Sequence, residues 1–215
     1  MRKLMTVPLA GLFALTLTAP VLAGPNVGNY SGSATIAQAN WDSWDESTGA
    51  YGSGFIAVVR EQGPSEAYAE YSEYSEVYMQ CTGAETPDDP EDDTYGIVGS
   101  YAYGWGSATL TTGKNFGTAS ATGELSIGRE AFNECTGEWT FEELPGFAFS
   151  LDLTATSGTI RESGRGSFQL PGEFNSHSSY KSVYRFAEGT FEGPDGAQSV
   201  SGMIGTVSWR DHSNG

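Results

Sequence analysis

Short segments of alternating polar and apolar residues, separated roughly every ten residues by glycine, serine and threonine, run through most of this chain, and that punctuation limits its fold more than any other feature. A period of two buries one face of a strand and wets the other, whereas a helix needs apolar residues three and four apart. Helix signals are nearly absent. One stretch is ambiguous, Ala67 to Met79, where Tyr68, Tyr74 and Tyr78 suit a strand face but Pro64 and the spacing of Tyr68, Tyr71 and Tyr74 would suit a short helix. Its aromatic and serine content favours a strand. The expectation is a single all-β domain, an antiparallel β-sandwich or meandering β-barrel of about 8–10 strands.

Residues 28 to 38 and 53 to 62 read as strands, the second through Phe55-Ile56-Ala57-Val58-Val59. Tyr180 to Glu192 and Gln198 to Trp209 read as the last two, joined by the turn Gly193-Pro194-Asp195-Gly196. In residues 146 to 170, Phe147, Phe149, Leu151 and Leu153 alternate with Ala148, Ser150, Asp152 and Thr154. A turn at Ser157-Gly158 would pair Phe147 with Phe168 and Thr154 with Arg161 in one hairpin. That register adds Ile160 and Phe168 to the apolar face, sets Arg161 and Arg165 near Asp152, and turns Glu162 toward Leu153 at an open end of the sheet.

Residues 101 to 127 form a second expected hairpin, turning at Lys114-Asn115. One face carries Ala102, Gly104, Gly106, Ala108 and Leu110 with Ala119, Ala121, Gly123, Leu125 and Ile127, small residues suited to close sheet packing. The other carries Tyr101, Tyr103 and Trp105, then Ser107, Thr109 and Thr111 opposite Thr118, Ser120 and Thr122. Internal echoes link the two hairpins. Cys81-Thr82-Gly83 recurs as Cys135-Thr136-Gly137, and Ser107 to Thr111 resembles Ser150 to Thr154. The acidic stretch at residues 85 to 95 would then be an insertion in the first copy.

The first 23 residues are a leader by composition: Arg2 and Lys3, an apolar run from Val7 to Ala19, and Val21-Leu22-Ala23 as a small-x-small cleavage site. The mature domain would be residues 24 to 215, secreted or periplasmic. Without Arg2 and Lys3 the net charge moves from −17 to −19, which argues against nucleic acid and anionic membranes as partners. No later apolar run reaches the ~20 residues of a spanning helix, so no membrane anchor is expected. In an oxidising compartment the only cysteines, Cys81 and Cys135, should pair, stabilising the fold by roughly 4 kcal/mol through loop closure.

Signatures of catalysis are missing: there is no Gly-x-Ser-x-Gly, no His-Glu-x-x-His and no phosphate loop. His177 and His212 sit in loop-like polar contexts, far in sequence from either cysteine. Glu124, Glu142 and Glu162 are conceivable carboxylates for glycoside hydrolysis, none distinguished by its neighbours. No resident cofactor is expected. Asp88, Asp89, Glu91, Asp92 and Asp93 could offer oxygens to Ca²⁺, but without the spacing of an EF-hand they read first as a solvated charge run. Trp41 and Trp44 fall in an acidic loop. Tyr101, Tyr103 and Trp105 could stack on sugar rings if exposed, although aromatics also fill sheet cores and the core reading comes slightly ahead. The functional expectation is a non-enzymatic, surface-associated binding protein for an extracellular glycan or other polymer. The alternatives are a carboxylate-based glycan-degrading enzyme and a purely structural envelope or matrix protein.

Overall fold

The structure, a computed structural model, describes residues 28–62, 66–81, 94–170 and 174–214. The leader and the acidic residues from Asp88 to Asp93 lie outside these. The strands are β1 (Gly28–Asp45), β2 (Ala50–Glu61), β3 (Ala67–Cys81), β4 (Thr94–Thr112), β5 (Thr118–Asn133), β6 (Glu138–Ala155), β7 (Ile160–Leu170), β8 (Phe174–Gly193) and β9 (Gly196–Asn214). All nine are antiparallel in one sheet of order β6-β5-β4-β3-β2-β1-β9-β8-β7, and β6 also pairs with β8, so the sheet closes into a barrel-like ring. Closure pairs backbone groups that an open edge would leave to other chains.

Strand β8 closes the ring by serving two partners in turn. Phe174 to Tyr184 pairs with β7, and Ala187 to Glu192 pairs with β6. This overturns the expected 146 to 170 hairpin. Thr154 lies opposite Glu188 instead of Arg161, Phe168 opposite Ser176, and Glu162 opposite Ser182. Residues between Ala155 and Ile160 carry the chain onward along β8 rather than back. Thr156 N–H donates to the Phe186 carbonyl and Phe186 N–H to Ser157 Oγ, which ties that passage down.

Alternation holds where pairing did not. Phe149, Leu151 and Leu153 are buried, as are Ala102, Ala108, Leu110, Ala119, Ala121, Leu125 and Ile127, so the small-residue face of β4 and β5 does point inward. Ala37, Ala39 and Trp41 from β1, Ile56 and Val58 from β2, Ala67, Ala69 and Tyr71 from β3, Ala187 and Phe191 from β8, and Val200 and Ile204 from β9 join them in the interior. Among the described residues no polar or charged residue is fully buried. Each large apolar side chain taken from water there contributes about 1.5–3 kcal/mol. Glycine serves close backbone approach: a Cβ on Gly202 would lie 1.9 Å from the Gln38 carbonyl oxygen.

Trp41 corrects another expectation. It is not in a loop, because β1 runs on to Asp45, and its ring stacks on Phe191 with centroids 4.9 Å apart inside the ring. The β4–β5 turn is longer than expected, with Thr112 opposite Ala119 and a short 3₁₀ segment, Lys114–Phe116, between the strands. Asn115 (φ 54°) tolerates the left-handed region; Phe116 (φ 55°) is held there while its ring packs against the bottom of the core. Strand β6 starts earlier than expected because a bulge, where Leu125 pairs with Phe147 but Ile127 with Leu144, absorbs Pro145 and Gly146.

The disulfide is present between the end of β3 and the β5–β6 turn, with Cys81 and Cys135 Cα atoms 5.2 Å apart. Two turns at this end share a construction that the sequence reading missed. In Asp45-Glu46-Ser47-Thr48-Gly49 and Asn133-Glu134-Cys135-Thr136-Gly137, the glycine N–H donates to the carbonyl of the first residue, 2.8 Å in both. The first side chain accepts the N–H two residues on, and the glycines have φ of +69° and +71°. Cys81-Thr82-Gly83 repeats the letters of Cys135-Thr136-Gly137 from the last residue of β3.

Candidate functional site

Because the ring claims Tyr71, Ala69 and Ala67 of β3, the even-numbered residues of that strand face outward. The same parity turns out the odd-numbered residues of β4, the even-numbered residues of β5, and Trp139 and Phe141 of β6. Beyond the disulfide end of the core these four strands continue side by side, and their outer face is paved with aromatic rings. Tyr78 stacks on Tyr95 (5.3 Å between centroids), Tyr74 on Phe132 (6.4 Å), and Phe132 on Trp139 (5.2 Å). Tyr101, Tyr103 and Trp105 form a second row, 5.7 and 5.4 Å apart. Phe141 and Tyr103 both cover Gly128, where a Cβ would meet them at 3.0 and 3.6 Å, so the rows join.

The surface is open to water. Trp139 is 70% exposed, Trp105 59% and Phe141 58%. Single exposed apolar residues are ordinary, but a contiguous aromatic patch of this extent marks an interaction surface. Carboxylates lie among the rings. Tyr74 Oη donates to Glu76, and that hydrogen bond, with a smaller desolvation effect, pushes the phenol up to about 12. Tyr71, on the inner side, is raised further, first by burial and then by its 2.6 Å hydrogen bond to Glu73.

The sequence-predicted residues are placed as follows. Tyr101, Tyr103 and Trp105 do come together, lining a shallow hollow with Glu70 and Tyr71, and the core expectation for them is overturned. Glu124, Glu142 and Glu162 do not converge. Glu124 faces outward on β5, Glu142 pairs with Arg129 at 3.5 Å on the inner face, and Glu162 accepts from Tyr184 Oη at the far end of the sheet. His177 and His212 are not in loops but directly opposite each other on β8 and β9. Among the described residues no group of three or more His, Cys, Asp or Glu is assembled that could hold a metal ion. What sequence reasoning missed is Tyr95, Phe132, Trp139 and Phe141; the alternation of Trp139 and Phe141 with Thr140 and Glu142 was the available signal for the last two.

No protein-family profile and no curated protein matches the chain. Among solved structures it resembles Neisserial surface protein A (TM-score 0.25, 10% identity, covering 84% of this chain and 95% of that one). It also resembles the β domain of the Bordetella autotransporter BrkA (TM-score 0.17, 8% identity, covering 88% and 100%).

Three expectations are corrected here: a secreted glycan-binding or glycan-degrading β-sandwich, a glycan or polymer partner, and freedom from the membrane. The candidate catalytic carboxylates stand apart, the Tyr101 row is one part of a broad aromatic face rather than a sugar-sized strip, and a contiguous exposed aromatic face does not suit a chain kept clear of membranes. At these TM-scores the neighbours establish no role for this chain.

Proposed function

We propose that this chain is an exported envelope protein, cleaved after Ala23, whose ring is a meandering β-barrel and whose outer aromatic face on β3 to β6 seats it at a membrane–water interface. The observation that carries this reading is the joined, exposed array from Tyr78 and Tyr95 to Trp105 and Phe141. Tyrosine and tryptophan suit the headgroup layer because each pairs an apolar ring with a polar edge that stays hydrated. Tyr101, Tyr103 and Trp105 are then contacts to lipid. The disulfide supports export, since such bonds persist in oxidising compartments.

Seating differs from spanning. A barrel that crosses lipid turns apolar residues outward and polar ones inward. This ring does the reverse around its core, with Leu151, Leu153 and Phe191 inside and Ser150, Asp152, Glu188 and Glu192 on the alternate, outer positions. An outward carboxylate at bilayer mid-depth would be costly, so the core lies outside the hydrocarbon and only the aromatic extension reaches the interface.

The test is flotation of the mature chain with vesicles of phosphatidylcholine, whose neutral surface does not repel a −19 protein. Wild-type protein should float with the vesicles, and a W139A/F141A variant should remain in the dense fraction while keeping its circular dichroism spectrum. Wild-type protein that never floats, or a folded variant that floats equally well, refutes the reading.

A further inference from the structure

At the opposite end of the sheet, the face continuous with the ring interior has a different chemistry. Ala187 and Phe191 of β8 and Ile204 of β9 fix that face as inward, so Lys181, Arg185 and Arg210 share it, and β7 adds Arg161 and Arg165 by register. Five of the eight lysines and arginines that follow the leader therefore stand on three adjacent strands in a strongly acidic protein. Register orders them. Ser179 lies between Arg165 and Arg210, and in the next row of the same face Lys181 lies between Ser163 and Ser208. Cations and hydroxyls thus alternate in both directions, and the carboxylates of these strands, Glu162, Glu188, Glu192 and Asp211, occupy the other face.

Among the described residues Arg161, Arg165, Lys181 and Arg210 make no ion pair, and all four are exposed. Like charges this close repel, and with 27 acidic residues in the chain a purely structural surface would interleave them. Strand spacing puts the Arg165 and Arg210 backbones about 10 Å apart, with Lys181 about 7 Å along from Ser179. The long side chains of these three residues can converge above Ser179. Arginine forks and hydroxyls together supply the several donors that a tetrahedral oxyanion accepts, and three cations exceed its charge.

The geometry points to a phosphate site: Arg165, Lys181 and Arg210, with Ser163, Ser179 and Ser208, bind the phosphate group of a soluble phosphate ester. This site is separate from the aromatic face and does not depend on membrane seating.

Calorimetric titration of the mature chain with phenyl phosphate and with inorganic phosphate tests it. Both should bind. Arg165→Gln and Arg210→Gln should each weaken binding about tenfold or more, the scale of losing one hydrogen bond to a charged group. Arg165→Lys should recover part of the loss, and Lys114→Gln, which changes a cation outside the cluster, should leave affinity unchanged. Circular dichroism and melting temperature serve to exclude a folding defect in each variant. The proposal is overturned if wild-type protein binds neither probe or if Lys114→Gln weakens binding as much as Arg165→Gln. It is equally overturned if binding occurs only to vesicles containing phosphatidylglycerol, or if the cations instead hold a second copy of the chain in a dimer that phosphate does not displace.

Discussion

Two tryptophans carry opposite duties. Trp41 lies inside the ring against Phe191, whereas Trp105 stands in solvent against Tyr103. Trp41→Ala should cost about 3–5 kcal/mol, the loss for a buried ring and the cavity it leaves. Trp105→Ala should stay within about 0.5 kcal/mol of wild type. Chemical denaturation of both variants checks this, and similar losses would mean that the two faces of the sheet are reversed. The burial of Trp41 was legible: Ala37, Ala39 and Trp41 share one period of two. The acidic neighbours Asp42, Asp45 and Glu46 mask it, because clustered charge resembles a loop in sequence and here marks only the end of a strand.

Strands were easier to read than their partners. Alternation identifies which residues of β6 face the core, since that depends on the strand alone, but it says nothing about which strand lies alongside. Ser157-Gly158 had acceptable turn chemistry, and the chain still ran straight on because ring closure offered β6 and β7 the same edge of β8 in succession. Turn chemistry decided correctly at Gly193 to Gly196, where Gly196 takes φ +94°. Closure also depends on glycines in the strands. At Gly202 the missing side chain lets β9 lie against the Gln38 backbone of β1, and an added methyl would meet backbone rather than a movable side chain. Gly202→Ala should therefore destabilise by about 1–3 kcal/mol, the range for overpacking, read as a lowered melting temperature. No change would mean that β1 and β9 can part locally without cost.

For the whole molecule, the ring is apolar within and turns Ser150, Asp152, Glu188 and Glu192 outward along β6 and β8, and its sheet extends past the core at both ends. One extension carries the aromatic outer face and the disulfide; the other carries the clustered cations. Neither feature was legible as a site in the sequence. Tyr101, Tyr103 and Trp105 were visible as a row, yet joining them to Trp139 and Phe141 needs the β4–β5–β6 register. The cations are scattered from Arg161 to Arg210 and gather only when β7, β8 and β9 are aligned. The acidic total read from composition hid this asymmetry, and it led to an expectation of no membrane contact that the exposed rings do not support.

The central claim, that the aromatic extension sits in the interface while the core stays in water, is tested most directly by tryptophan fluorescence of the mature chain on phosphatidylcholine vesicles with bromine at defined acyl-chain depths. The account predicts a blue shift on binding and strongest quenching by shallow bromines. It further predicts that Trp105→Phe with Trp139→Phe removes the quenched component, while buried Trp41 keeps its emission. Quenching strongest from bromines at the bilayer centre, or quenching undiminished in the double variant, would contradict it.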